Sequence, residues 1–127
     1  MTESHNPLSV FLVEDVAIIR QNLIEALEDL VGAHVVATAE DELGAVAWLH
    51  GHPSGWKIAV IDLLLKQGSG IGVLKAIANR HEGQRAVVLS NYATPDMRQR
   101  CLNAGANEVF DKSTQLDDFL AYCQALV

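Results

Sequence analysis

Cysteine is scarce in this chain: there are two, Cys101 and Cys123, and neither stands at a spacing that suits a metal site. A scaffold stapled by several disulfides or by structural zinc is therefore excluded. None is needed, because 127 residues can bury a single core unaided. Basic residues are also few. Nine Lys and Arg against sixteen Asp and Glu give a formal charge of −7, which argues against a nucleic-acid binder, whose phosphate contacts need clustered cations. Long apolar runs are missing, which excludes a transmembrane helix. The segment Met1 to Pro7 lacks the basic flank and apolar stretch of a signal peptide. The expectation is a reduced, cytoplasmic protein with no membrane attachment. No repeat, low-complexity tract or composition break divides the sequence, so one domain over residues 1–127 is expected, with its core from about residue 8.

What is present is alternation. Short apolar runs occur at Val10-Phe11-Leu12-Val13, Val35-Val36-Ala37, Ile58-Ala59-Val60-Ile61, Ala86-Val87-Val88-Leu89 and, more weakly, Val109-Phe110. Continuous runs suggest strands buried on both faces, as in a parallel sheet. Helical stretches lie between them. Ile19, Leu23, Ala26, Leu27 and Leu30 form one apolar stripe, and Leu116, Phe119, Leu120, Cys123 and Val127 form another. Val73, Leu74 and Ile77 mark a helix within Gly70 to Asn79, and Asp41 and Glu42 suit the start of one at Leu43 to Leu49. Thr94-Pro95-Asp96 opens another, with a capping hydroxyl, a first-turn proline and an acid at the positive helix end. Five βα units in one domain predict an α/β fold with a five-stranded parallel sheet in the flavodoxin-like order 2-1-3-4-5.

Ligands of such sheets sit beyond the carboxyl ends of the strands. The residues directly after the runs are Glu14 and Asp15, Asp62, Ser90 with Asn91 and Tyr92, and Asp111-Lys112-Ser113. Two carboxylates about 5 Å apart repel by roughly 3 kcal/mol at an effective dielectric near 20. Three carboxylates therefore call for cations. Lys112 offers one charge, and a hard divalent ion such as Mg2+ suits an all-oxygen set better than zinc or copper. A carboxylate beside Mg2+ can attack a phosphoryl group and become an acyl phosphate. Asp62, alone after the central strand, is the candidate nucleophile. Glu14 and Asp15 are the candidate metal pair, and Asp15 is also the candidate cap for the helix at Ala17. A flavin site is disfavoured, because two acids would repel its phosphate. His50 and His52 are read as loop residues rather than a metal pair, and His5, His34 and His81 show no partner at ligand spacing. Trp48 and Trp56 are expected at the sheet edge or partly exposed, and both thiols are expected to be buried or half-buried.

Taken in order, Glu14-Asp15, Asp62, Ser90 and Lys112, with Gly70 and Ala104-Gly105-Ala106, resemble the CheY-like receiver domain of two-component response regulators. The spacings from Asp15 onward are 47, 28 and 22 residues, and the resemblance runs from Leu8 to Val127. It implies a single receiver domain without an output domain, and a protein that catalyses only its own phosphorylation and dephosphorylation. It implies that Asp62 takes a phosphoryl group from a phosphohistidine of a histidine kinase or histidine phosphotransfer protein. Glu14, Asp15, Asp62 and the backbone carbonyl of Leu64 would hold Mg2+, while Lys112 and Ser90 would meet the phosphoryl group. A downstream target would dock on the face formed by residues 94–127, where Tyr92, Arg98, Arg100 and Tyr122 are candidate contacts.

Three departures stand out. The position three before the lysine is usually an aromatic switch; here it is Val109, with Phe110 beside it, and both are expected in the core. The lysine is usually followed by proline; here it is Ser113. The loop after Asp62 reads Leu63-Leu64-Leu65-Lys66-Gln67-Gly68, without the usual proline near Lys66. Leu64 and Tyr92 take the positions that flank the hydrolytic water, which predicts a slowly hydrolysing acyl phosphate. Two other readings stay open. One is a pseudo-receiver that binds partners without phosphate, and the other is a true phosphatase, disfavoured because Leu64 stands where a second acid would be needed.

Overall fold

The computed structural model describes residues 7–127; the polar segment Met1 to Asn6, with His5, lies outside the described residues. Within them the apolar runs form β1 (Ser9–Val13), β2 (His34–Ala39), β3 (Ile58–Ile61), β4 (Arg85–Ser90) and β5 (Glu108–Asp111). All pair in parallel, in the order β2-β1-β3-β4-β5. The helices are α1 (Ala17–Ala26), α2 (Glu42–Gly51), α3 (Gly70–Ala76), α4 (Pro95–Asn103) and α5 (Leu116–Leu126). Fold class and strand order are as the sequence predicted.

Alternation along the strands divides the core in two. Phe11, Val13, Ala59, Ile61, Ala86, Val88 and Val109 face α2, α3 and α4. Val10, Leu12, Ile58, Val60, Val87, Leu89 and Phe110 face α1 and α5. The edge strand β2 departs from the expectation of two buried faces: exposed and half-buried residues alternate along it up to Ala39. An edge strand has one neighbour and less helix above it, so its outer side chains stay in water.

Side chains start three of the helices, Asp41 and Thr94 as the sequence suggests and Ser69 in addition. Asp41 accepts from the Gly44 N–H at 2.8 Å, Ser69 from Gly72 at 3.3 Å and Thr94 from Met97 at 3.2 Å. Asp15 does not cap α1. Val16 holds that position, without a side-chain bond to the helix. The stripe of α1 also ends differently. A π-helical turn follows α1 over Leu27–Val31, buries both of its end residues and leaves Leu30 exposed. The wider turn swings residue 31 inward where a regular helix would share the inner face with residue 30. The C-terminal stripe is likewise exposed at its two ends, Leu116 and Val127. Both cysteines are buried and free, and burial pushes the Cys123 thiol up to about 12. Trp48 stacks on Phe11 at 4.4 Å and is half-buried, whereas Trp56 lies fully inside, at 2% exposure. Among the described residues, no helix is long and apolar enough to cross a membrane.

One close approach fixes the loop between β3 and α3. A Cβ on Gly70 would lie 2.2 Å from the backbone oxygen of Asp62, while one on Gly83 would meet nothing within 4 Å. The Gly70 N–H donates to the Leu63 carbonyl at 2.9 Å, so the two segments cannot separate cheaply. Gly70→Ala is expected to cost about 1–3 kcal/mol in urea denaturation, as overpacking does. Gly83→Ala should stay within about 0.5 kcal/mol of the parent. Equal effects of the two substitutions would contradict this account.

Candidate functional site

Three residues at strand ends meet in one cluster because their backbones continue the sheet ladder by one step. The Glu14 N–H donates to Ala39 O at 3.0 Å, Asp62 to Val13 O at 3.0 Å and Lys112 to Ser90 O at 3.1 Å. Each side chain therefore leaves a backbone held on its neighbour strand. The Lys112 ammonium bonds Glu14 Oε1 and reaches Asp62 Oδ2 at 3.1 Å. The remaining oxygens are also engaged: Glu14 Oε2 accepts from Val16 N–H at 3.1 Å, and Asp62 Oδ1 from Leu63 N–H at 2.8 Å. Arg20 donates to the Glu14 carbonyl at 2.7 Å, a contact no sequence period announces.

Charge and burial pull in opposite directions here. Burial raises the Glu14 carboxyl above the ordinary glutamate value, and Lys112 and the Val16 N–H only partly oppose it. Burial also works against the Lys112 ammonium, but Glu14 and Asp62 outweigh it and hold the lysine above its ordinary value. Lysine with two carboxylate partners stays charged, as opposite charges at hydrogen-bond distance require.

Asp15 completes the acidic group. Glu14, Asp15 and Asp62 each place one carboxylate oxygen within 4.8 Å of the others, and the set is all oxygen. This donor set fits a hard divalent cation such as Mg2+. Ser90 is fully buried, and its hydroxyl accepts from the Tyr92 N–H at 3.1 Å. Leu64 and Tyr92 are more than half exposed on the loops that follow Asp62 and Ser90. Val16, Ile18 and Leu116, also exposed, follow the other two site strands, so an apolar collar accompanies the acidic group.

Asp111 turns away from this group. Its Oδ1 accepts from Ser113 N–H at 2.8 Å, Ser113 Oγ at 2.6 Å and Thr114 N–H at 3.2 Å. A side-chain cap thus stiffens the turn after Lys112, where the resemblance leads one to expect proline. Gln115 Oε1 adds a bond from the Asp111 N–H at 3.0 Å. The same oxygen accepts from Arg98 at 2.6 Å, and Arg98 also donates to Val109 O at 2.7 Å and Ala93 O at 3.1 Å. Arg98 is thus half-buried, with each of its three nitrogens donating one bond, which corrects its reading as an exposed contact. Tyr122 is half-buried too, with its ring 5.8 Å from Phe110, while Tyr92 and Arg100 are exposed. Val109 and Phe110 both lie in the core, on opposite faces of the sheet. Among the described residues, no histidine joins the Glu14–Asp15–Asp62 group: His34 lies 3.6 Å from Glu28, His52 stacks on Trp48 at 4.2 Å, and His81 meets Ser54 at 3.3 Å.

Residues 10–124 match the family model of the response regulator receiver domain. The acid tolerance regulatory protein ActR of Rhizobium meliloti (strain 1021) is 32% identical over 113 residues, 89% of this chain and 56% of that protein. A protein-glutamate methylesterase/protein-glutamine glutaminase 2 of Pseudomonas syringae pv. tomato is 34% identical over 118 residues, 89% of this chain but 32% of that protein. The chain thus spans about half, or a third, of the length of these curated relatives. Among solved structures, the phosphorylated cyanobacterial phytochrome response regulator RcpA is similar at 25% identity and a TM-score of 0.77, covering 95% of this chain and 91% of that one.

The bonds from Ser113 and Thr114 hold the Asp111 carboxyl below its ordinary 3.8. A depressed value stabilises the fold above 3.8, and the contribution is lost as pH falls through the lowered value. Asp111→Asn should therefore lower the melting temperature at neutral pH and flatten its fall in acid. Parallel melting curves from pH 7 to pH 2 would show that the cap does not contribute.

Proposed function

The chain belongs to the response regulator receiver domain family, a phosphoacceptor module of two-component signalling, and on that premise we propose that Asp62 is its phosphoacceptor. The observation behind this reading is the position of Asp62, anchored at the end of the central strand with Lys112 on one carboxylate oxygen and a backbone N–H on the other. A phosphohistidine of a kinase or phosphotransfer protein is the donor. One Asp62 oxygen attacks phosphorus in line, the P–N bond breaks, and the donor imidazole leaves with the electron pair and takes up a proton. Glu14, Asp15 and Asp62, with the Leu64 backbone carbonyl, would hold Mg2+, whose charge offsets that of the phosphoryl oxygens. Lys112 neutralises the group that arrives, and Ser90 exchanges its bond to Tyr92 for one to the phosphoryl oxygen. The exposed apolar collar suits a donor protein that must seat its histidine directly over Asp62.

The chain then signals through a protein partner on the 94–127 face. With Arg98 engaged and Tyr122 half-buried, Arg100, Tyr92 and the exposed Leu102 remain as contacts there. The acyl phosphate is long-lived, since Leu64 offers no hydrogen bond to an attacking water and Tyr92 crowds its path.

Intact-mass spectrometry with Mg2+ and a small acyl or amido phosphate donor tests the reading. One phosphoryl group should appear on the parent and none on Asp62→Asn. No gain on the parent would favour a phosphate-independent binding module. Decay of the labelled protein should quicken severalfold in Leu64→Asn, and equal lifetimes would refute the role given to Leu64.

A further inference from the structure

The sheet end opposite Asp62 holds a second concavity that the phosphoryl chemistry does not use. A cleft of about 280 Å³ opens where α2 and α3 end. Leu49, Trp56 and Ile77 supply apolar walls, and His50, Arg80 and His81 supply the ionisable groups.

Trp56, at 2% exposure, has an indole N–H without a partner, the sole buried side-chain polar atom so placed among the described residues. Leaving a buried donor unmade is costly; the atom is covered at rest, so an acceptor that draws the indole edge toward the cleft recovers free energy. Charge adds a second reason. In a chain of formal charge −7, no Asp or Glu lines this cleft. Arg80 donates to Gln84 O at 3.2 Å, Ile77 O at 2.9 Å, Gly105 O at 2.6 Å and Asn107 Oδ1 at 2.8 Å. All four acceptors are neutral, so the guanidinium keeps its full charge and one uncommitted N–H. The walls are also prebuilt. Gln84, itself buried, donates to Pro53 O at 3.0 Å and Trp56 O at 2.9 Å, and accepts from His81 N–H at 3.0 Å. A cleft stitched in this way exists before any ligand arrives, which lowers the ordering cost of binding.

We propose that this cleft binds a small organic anion with an apolar body, of the class of single-ring carboxylates: the carboxylate accepts from Trp56 and Arg80, and the ring lies against Leu49 and Ile77. The volume stands at the small end for ligand sites, which sets the size of the occupant.

Benzoate is the probe. Its titration into the 15N-labelled, unphosphorylated protein, followed at the Trp56 indole N–H, should give a saturable downfield shift. Trp48→Phe identifies the signal by leaving one indole resonance. Benzyl alcohol, of the same shape without charge, should bind at least about tenfold more weakly, as should benzoate with Arg80→Gln. The benzyl alcohol comparison needs no variant and survives any misfolding of Arg80→Gln. No saturable shift with benzoate, or equal affinity for benzyl alcohol, overturns the proposal. A response to inorganic phosphate as strong as that to benzoate overturns the apolar part of it.

Discussion

The site depends on one ammonium group set between two carboxylates. Lys112 bonds Glu14 and Asp62, which stand at the ends of the adjacent strands β1 and β3. Lys112 itself follows β5, two strands from β3, and its side chain must pass the end of β4 to arrive. The small, fully buried Ser90 stands at that end and receives the Lys112 N–H on its carbonyl. Strand order, a short side chain on β4 and the ladder bonds of residues 14, 62 and 112 are thus parts of one arrangement. Without Lys112, two buried acids would face each other unpaired, the costly half of a broken ion pair.

The turn after Lys112 shows how one constraint can replace another. Proline would fix it through its ring. Here Asp111 fixes it from the side, one carboxylate oxygen accepting from Ser113 and Thr114, while Gln115 and Arg98 tie the turn to β5 and α4. Rigidity at the turn comes from a network of polar bonds, each weaker than a covalent ring but cooperative with its neighbours.

Much of this was legible in the sequence. The continuous apolar runs of β1, β3 and β4 set the sheet, and the rule that ligands sit past strand ends brought Glu14, Asp15, Asp62, Ser90 and Lys112 together before any coordinates. What was not legible has a common physical character. Arg20, Arg98 and Gln84 act through bonds from side chain to distant backbone, which follow loop conformation and leave no period in the sequence. Leu30 was misplaced because a single π-helical turn changes the residue count per revolution. Trp56 was misplaced because a tryptophan between a glycine and a lysine looks like a loop residue until the ends of α2 and α3 close over it.

The depth of the Lys112 cluster also decides how it feels the surrounding electrolyte. Mobile ions screen exposed charges over a length of about 8 Å at physiological ionic strength, shorter as salt rises, but reach enclosed pairs poorly. The Lys112 side chain is 13% exposed and that of Glu14 1%, whereas both partners of the Lys66–Glu40 pair are more than half in solvent. A rise in salt therefore weakens the outer pair and leaves the inner one in force. The Lys112–Asp62 pair is insulated from changes in ionic strength, while the acidic exterior that an approaching partner first senses is not.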